Sequence, residues 1–195
     1  MAGIARDILA AAPPRFALAG LSMGVSIALE VLYQAPARVA RLALLDGRAA
    51  LDDEETKADR RRYIEMAQSA RFMEITRDHL LPRLIHPKRR SDRALTQTIL
   101  DMAEATGPEI FIRQETAILE RADYRPFLPE IRCPTLVLVG ADDGITPPPM
   151  AAEMAKAIAG ARLEIVADCG HLSTLERPPE TSALLESWLR ALACQ

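Results

Sequence analysis

Apolar residues in this chain fall into two patterns, short unbroken runs and longer stretches at helical spacing, and their order divides it. Residues Ile4–Ala12 read as a short helix that Pro13 and Pro14 end, because proline cannot supply the next helical N–H. Phe16, Ala17, Leu18 and Ala19 form a short apolar run stopped by Gly20, the look of a buried parallel strand. From Ser22 the pattern turns helical. Val25, Ile27, Ala28, Leu29, Val31 and Leu32 cover most of a helix surface, which predicts deep burial, and Pro36 closes it. Val39–Leu45 is a second strand, ending at Asp46-Gly47.

The character then changes. Residues 51–128 are rich in Arg, Glu, Ala, Met and Leu, all good helix formers. Apolar residues recur at helical spacing at Tyr63, Met66, Ala67 and Ala70, and again at Ile110, Ile118 and Leu119. Pro82, Pro87 and Pro108 punctuate the stretch into four helices, with no strand pattern. The first rhythm returns at Cys133-Pro134. Thr135–Val139 is the clearest strand, β-branched and unbroken, and Gly140 ends it. A helix over Met150–Ala159 capped by Gly160, a strand over Arg162–Val166, and a final helix over Pro179–Leu192 complete the pattern. The expected domains are therefore a core part at 1–50, a helical insertion at 51–128 and a second core part at 129–195. Strands separated by helices predict a parallel sheet with right-handed crossovers. Such sheets bind ligands beyond the carboxyl ends of their strands.

Composition narrows the function classes. Apolar residues make up 49% of the chain and the formal net charge is −3. That balance offers no clustered basic face, so no nucleic-acid partner is expected. Arg60-Arg61-Arg62 and Lys88-Arg89-Arg90 read as solvated faces of helices. The first residues lack the layout of a secretory signal, and no segment approaches the ~20 apolar residues of a membrane span. Cys133, Cys169 and Cys194 are odd in number and widely spaced, against a disulfide framework and against a zinc site. The default location is cytoplasmic.

The residues just after each strand carry the chemistry. Gly20-Leu21-Ser22-Met23-Gly24 places a serine between two glycines at a strand-to-helix turn. Such a turn strains the serine backbone and lifts its hydroxyl clear of the sheet, at a helix N-terminus that favours negative charge. The N–H of Met23 then points where an oxyanion would form. A serine hydroxyl needs a base. Of the three histidines, His79 and His86 fall in the helical stretch and read as surface or packing residues. His171 comes after the last strand, where a loop can carry it over the strand ends to Ser22. The base needs an acid to hold its tautomer. Asp142 and Asp143 come after the strongest strand, and either could serve. Asp46, after the second strand, is the reserve candidate. The chain order is Ser, Asp, His.

With these motifs the sequence resembles the α/β-hydrolase superfamily, in its cap-bearing branch of small esterases, C–C bond hydrolases and perhydrolases. The likeness rests on Gly20–Gly24, on the G-x-x-D-x-x-x-P spacing from Gly140 to Pro147, on Gly170-His171, and on Leu175-Glu176-Arg177-Pro178 ahead of the last helix. It implies an α/β-hydrolase fold with a parallel sheet flanked by helices and a helical cap. It implies Asp143 as the acid, with Ser22 as nucleophile, His171 as base and Met23 as an oxyanion donor. The implied reaction is acyl transfer to water on a small acyl substrate, with no cofactor and no metal. A serine nucleophile also sets the chain apart from the dehalogenases and epoxide hydrolases of the superfamily, which use aspartate there.

Two departures carry expectations of their own. Val25 stands where relatives often have another glycine, so crowding is expected at the elbow. Against the family pattern the N-terminal part of the sheet is expected to be missing, and with it the loop that supplies a second oxyanion N–H, worth roughly 10²–10³ in rate. The chain is therefore expected to be a fragment with a misplaced start. The first strand would have an open edge, through which a second copy could pair. A weak or inactive binding or self-associating protein is the alternative to a serine hydrolase, and transfer of the acyl group to peroxide is a third reading. Met66, Phe72, Met73, Met102 and Phe111 could line the pocket, but residues at helical spacing usually face a core, and ordinary helix packing is the favoured role. Cys169 reads as a small buried residue.

Overall fold

The computed structural model describes residues 1–69 and 71–190. Ala70, the end of the expected last helix at Ala191 and Leu192, and Cys194 lie outside the described residues. Helix α1 (Ala2–Ala11) leads into strand β1 (Phe16–Leu21), helix α2 (Met23–Gln34) and strand β2 (Val39–Leu45). Helix α3 (Glu54–Gln68), a composite segment of α4 (Phe72–Glu74), a π-helical turn (Ile75–Leu80) and α5 (Leu81–Leu84), and then α6 (Arg93–Leu119) intervene before β3 (Thr135–Gly140). Helix α7 (Pro148–Ala157), strand β4 (Arg162–Val166), the short α8 (Ser173–Glu176) and α9 (Pro178–Arg190) complete the order.

The four strands form one parallel sheet in the order β1-β2-β3-β4. Every residue of β3 is buried, as an unbroken apolar run in a sheet covered on both faces requires. Alternation sorts the central strands. Leu42, Leu44, Val137 and Val139 face the layer built by α1, α2 and α7. Ala43, Leu45, Leu136 and Leu138 face the other way, toward Trp188, Leu184 and Leu185 of α9. Helix α2 is buried along Val25, Ala28, Leu29, Val31 and Leu32, as its nearly all-apolar surface predicts.

Several boundaries moved. β1 runs through Gly20 to Leu21, because both residues pair with β2 and the Ser22 N–H then bonds Leu45 O at 2.9 Å. Helix α7 starts at Pro148, two prolines ahead of Met150, since a first helical turn needs no N–H. Gly160 does not cap it directly. It sits at φ +73° in a turn that the Ala161 N–H closes on Ile158 O, 3.1 Å away. Pro82 stands inside α5 rather than ending a helix. In a regular helix a proline ring there would clash with the carbonyl four residues back, and the turn just before it, Ile75–Leu80, is π-helical. Pro108 does mark a break: Gly107 before it takes φ 71°, ψ 164° and divides α6.

The helical stretch between β2 and β3 has a small core of its own around Tyr63, Met66, Phe72, Ile75 and Phe111. It is tied to the carboxyl end of the sheet by polar bonds. The His171 N–H reaches Leu84 O at 2.9 Å, and Arg121 Nη2 reaches Ala50 O at 3.1 Å. The strand ends therefore lie under a helical layer. Of the basic runs, Arg61, Arg62, Lys88 and Arg90 are exposed as expected. Arg60 is not: its side chain is 18% exposed and ion-paired to Asp52 and Glu115.

Candidate active site

Ser22 sits between β1 and α2 at φ 55°, ψ −116°, a conformation that L-residues avoid. Close packing explains why the turn needs Gly20: a Cβ there would lie 2.1 Å from the Gly24 carbonyl oxygen. Gly24 itself meets no such limit, since a Cβ on it would find open space. Only one of the two flanking glycines is thus sterically required. Val25 is accommodated by a partner the sequence did not point to. A Cβ on Gly47 would lie 2.5 Å from Val25 Cγ2, so the bare Gly47 takes up the extra bulk of valine.

Three side chains from three loops then meet in line. Ser22 Oγ lies 2.7 Å from His171 Nε2, and His171 Nδ1 lies 2.8 Å from Asp143 Oδ2. Asp143 and His171 are nearly inaccessible, at 4% and 2% exposure. The carboxylate is fully engaged. Its Oδ1 accepts the backbone N–H groups of Ile145 and Thr146 at 2.8 and 2.9 Å, and its Oδ2 accepts the Thr146 hydroxyl at 2.9 Å. Burial acts to raise the Asp143 carboxyl. The hydrogen bond and charge of His171, with the two backbone N–H groups, outweigh it and hold the group below its ordinary range. An ionised Asp143 accepts a hydrogen bond from Nδ1–H and so keeps the ring proton on that nitrogen, which leaves Nε2 as the acceptor facing the Ser22 hydroxyl. The Met23 N–H, in the first turn of α2, has no intrahelical partner to reach and borders the same space.

The remaining candidates separate cleanly. Asp142, beside Asp143 in sequence, turns outward with its side chain 46% exposed and faces His86 Nε2 at 3.4 Å. Asp46 makes no hydrogen bond to His171. Its carboxylate instead accepts from Gly140 N at 3.0 Å, Ser173 N at 3.2 Å and the Ser173 hydroxyl. It thus ties the start of the acid loop to the segment after His171. Burial pushes Asp46 up to about 6, against the bonds it accepts. His86 is a packing residue, buried, its Nδ1 accepting the Lys88 N–H at 3.1 Å. His79 packs on the Tyr63 ring, 5.7 Å between centroids. Cys169 is fully buried, and burial first, then Glu176 and Asp46, push its thiol up to about 12, far from a reactive thiolate.

Two supporting residues were assigned no role from sequence, although Glu176 lies in the Leu175–Pro178 motif. Thr146 braces Asp143, and an Asp-x-x-Thr turn is a signal that could have been read for it. Glu176 is buried, with Oε1 on the Gly170 N–H at 2.7 Å and Oε2 on the His86 N–H at 2.8 Å. It joins the histidine loop to the helical layer, a long-range role with no local signature.

Ser22 and His171 open into a cavity of about 150 Å³. Its apolar wall is Leu80, Leu84, Ile118 and Ile145. None of the five residues weighed as lining is there, in keeping with helix packing as their favoured role. Met66, Met73, Phe72 and Phe111 pack in the helical core, and Phe72, Met102 and Phe111 line a separate cavity of about 200 Å³. The two spaces share Leu80 and Leu84, one helical turn apart, which stand between them.

The sequence profile of the alpha/beta hydrolase family matches residues 2–184. The chain belongs to that family. Among solved structures it is similar to a thermophilic esterase from Thermogutta terrifontis determined with malate bound, at 32% identity and a TM-score of 0.87, over 97% of this chain and 69% of that one. It is also similar to the enol-lactonase of Burkholderia xenovorans LB400, at 28% identity and a TM-score of 0.81, over 91% of this chain and 66% of that one. RutD of Klebsiella pneumoniae, whose name carries a provisional carbamate hydrolase assignment, is 26% identical over 189 residues, 94% of this chain and 69% of RutD. This α/β-hydrolase chain thus spans about two-thirds of the length of these relatives. Among the described residues no helix is long and apolar enough to cross a membrane.

Proposed function

We propose that this chain is a serine hydrolase of small carboxylic esters and related acyl compounds, working through Ser22, His171 and Asp143. The observation that carries the reading is the unbroken line from Ser22 Oγ through the His171 ring to a buried, fully bonded Asp143. His171 Nε2 takes the Ser22 proton as Oγ bonds the substrate carbonyl carbon. Asp143 keeps the ring oriented and balances the imidazolium. The Met23 N–H lies beside the developing oxyanion. The tetrahedral adduct collapses, and the leaving alcohol departs with the proton from His171. Water then attacks the acyl-serine, gives its proton to His171, and releases the acid as Ser22 regains its hydrogen. Helices α3–α6 serve as the cap over the site. Relatives named as an esterase and an enol-lactonase support esters, open or cyclic, as the substrate class.

A second reading has one observation in its favour. The outer edge of β1 is unpaired among the described residues, and Ala17 and Ala19 on it are exposed. An apolar strand edge of that kind suits pairing with a second copy.

Treatment of the chain with a neutral fluorophosphonate, followed by peptide mapping, tests the first reading. An adduct is expected on Ser22, absent in Ser22→Ala and slowed by up to about 10⁶-fold in His171→Ala. A folded chain that stays unlabelled would refute it.

A further inference from the structure

The wall of the Ser22 cavity carries charge as well as apolar surface. Arg48, Arg60, Arg121 and Glu115 all border it. Asp52 lies behind them with its side chain 2% exposed and draws all three guanidiniums. Arg48 Nη2 contacts Asp52 Oδ1, Arg60 Nε sits 2.8 Å from Oδ2, and Arg121 Nη2 sits 3.0 Å from Oδ1. Glu115 takes Arg60 Nη1 at 2.7 Å. Three cations therefore share two carboxylates, and one positive charge is left over in a largely buried wall. The other carboxylate near Arg48, Asp53, is exposed and holds the Thr56 N–H at 2.8 Å.

The arginines are not equivalent. Arg60 divides itself between Asp52 and Glu115. Arg121 is a clamp, also donating to Ala50 O at 3.1 Å and Ile118 O at 3.2 Å. Among the described residues Arg48 contacts Asp52 and, at 4.0 Å, the Met150 thioether. A guanidinium offers five N–H donors, so Arg48 keeps several to spare. Burial, then the charges of Arg121 and Arg60, lower Arg48 to about 10, as expected for a cation short of anions. Arg48 also adjoins Gly47, where a Cβ would lie 3.1 Å from the Ser22 carbonyl oxygen, so its backbone is anchored beside the nucleophile.

We propose that Arg48 binds an anion in this cavity, and that the ester hydrolysed at Ser22 carries a free carboxylate. The inference rests on Ser22 being the nucleophile. A planar guanidinium fork matches a carboxylate in two parallel hydrogen bonds. Such an anion would neutralise the surplus charge, which is costly to leave buried. The cavity, at about 150 Å³, suits a short chain between the two groups, lying along Leu80, Leu84 and Ile145.

The test separates binding from turnover. Monomethyl glutarate and its uncharged isostere, methyl 4-carbamoylbutanoate, are titrated calorimetrically into Ser22→Ala, where neither is cleaved. The carboxylate is expected to bind at least ten-fold more tightly. Adding Arg48→Gln should bring the two ligands level, and Arg48→Lys should restore part of the preference. Equal binding in Ser22→Ala, or no binding of either ligand, overturns the anion site. So does a preference that survives Arg48→Gln. Fluorophosphonate labelling of Ser22 in the unsubstituted chain reports separately on the nucleophile. Labelling without carboxylate preference removes the subsite alone, while carboxylate preference without labelling removes the nucleophile and leaves an anion-binding pocket.

Discussion

The sheet and the helical stretch between β2 and β3 are built differently. In the sheet, β2 and β3 are packed on both faces, and each face is covered by helices that bury most of their inner surface. The helical stretch has a smaller apolar core, a π turn at Ile75–Leu80, a break at Gly107, and Met102 and Ile110 exposed at 55% and 43%. Its hold on the rest of the chain combines polar bonds, through Arg121, Glu176 and the Leu84 carbonyl, with a small apolar cluster that packs Ile85, Leu95 and Ile99 on Leu172 and Leu175. The Ser22–His171–Asp143 line belongs wholly to loops of the sheet. The cavity wall is shared, with Leu80, Leu84, Glu115 and Arg121 coming from or beside the helices. A rigid part thus holds the groups that would move protons, and a looser part shapes the space beside them.

The largest expected effect tests whether the rigid part alone carries the chemistry. Asp143→Asn should slow labelling or turnover by about 10⁴-fold, through loss of the correct histidine tautomer. Asp142→Asn, one residue away on the surface, should stay within about twofold. Urea unfolding tests the packing next. Gly20→Ala should cost more than about 3 kcal/mol, because the atom it meets at 2.1 Å is backbone and cannot yield. Gly24→Ala should be neutral or stabilising by up to ~1 kcal/mol, since its site is open and helical.

Asp46 gives a pH signature to the sheet part. Its folded-state value of about 6 lies above the ordinary 3.8, so the folded chain holds this proton more tightly than the unfolded chain. The stabilisation is complete below about 3.8 and is lost as pH rises through about 6. Unfolding free energy measured against Asp46→Asn should therefore fall by about 3 kcal/mol across that window. A flat difference would mean that Asp46 is not desolvated as described. The smallest effect sharpens the comparison directly. Amide hydrogen exchange should find α3 and α6 opening at about 1–2 kcal/mol less than β2 and β3. Ile75→Val should widen that gap by about 1 kcal/mol. Equal protection throughout would erase the distinction between the two parts.

Much of the sheet was legible because its signals are local. An unbroken β-branched run such as Thr135–Val139 has one good place, a strand covered on both faces. That Ser22 and His171 come together was readable because loops after parallel strands share one edge by topology. The boundaries at Leu21 and Pro148 were misread because strand pairing and a proline-tolerant first turn decided them. The true cavity lining was not legible for a related reason. Helical spacing tells which residues share a face, and says nothing about what that face meets, so Phe72 and Phe111 went to a helical core while Leu80 and Leu84 faced Ser22.

By itself the amino-acid order determined the alternation of strands and helices, the parallel sheet, and the Ser-x-Gly elbow with its histidine, since these arise from backbone and side-chain preferences a few residues long. The residues alone left the aspartates open until the family likeness favoured Asp143, and only tertiary structure gives the physical reason: Asp143 points inward onto His171 and Thr146, Asp142 turns outward beside His86, and Asp46 braces two loops 94 and 127 residues away. The same holds for Val25 against Gly47 and for three arginines around Asp52. Each depends on which distant groups share a buried space, where desolvation and close packing act, and no local pattern encodes that.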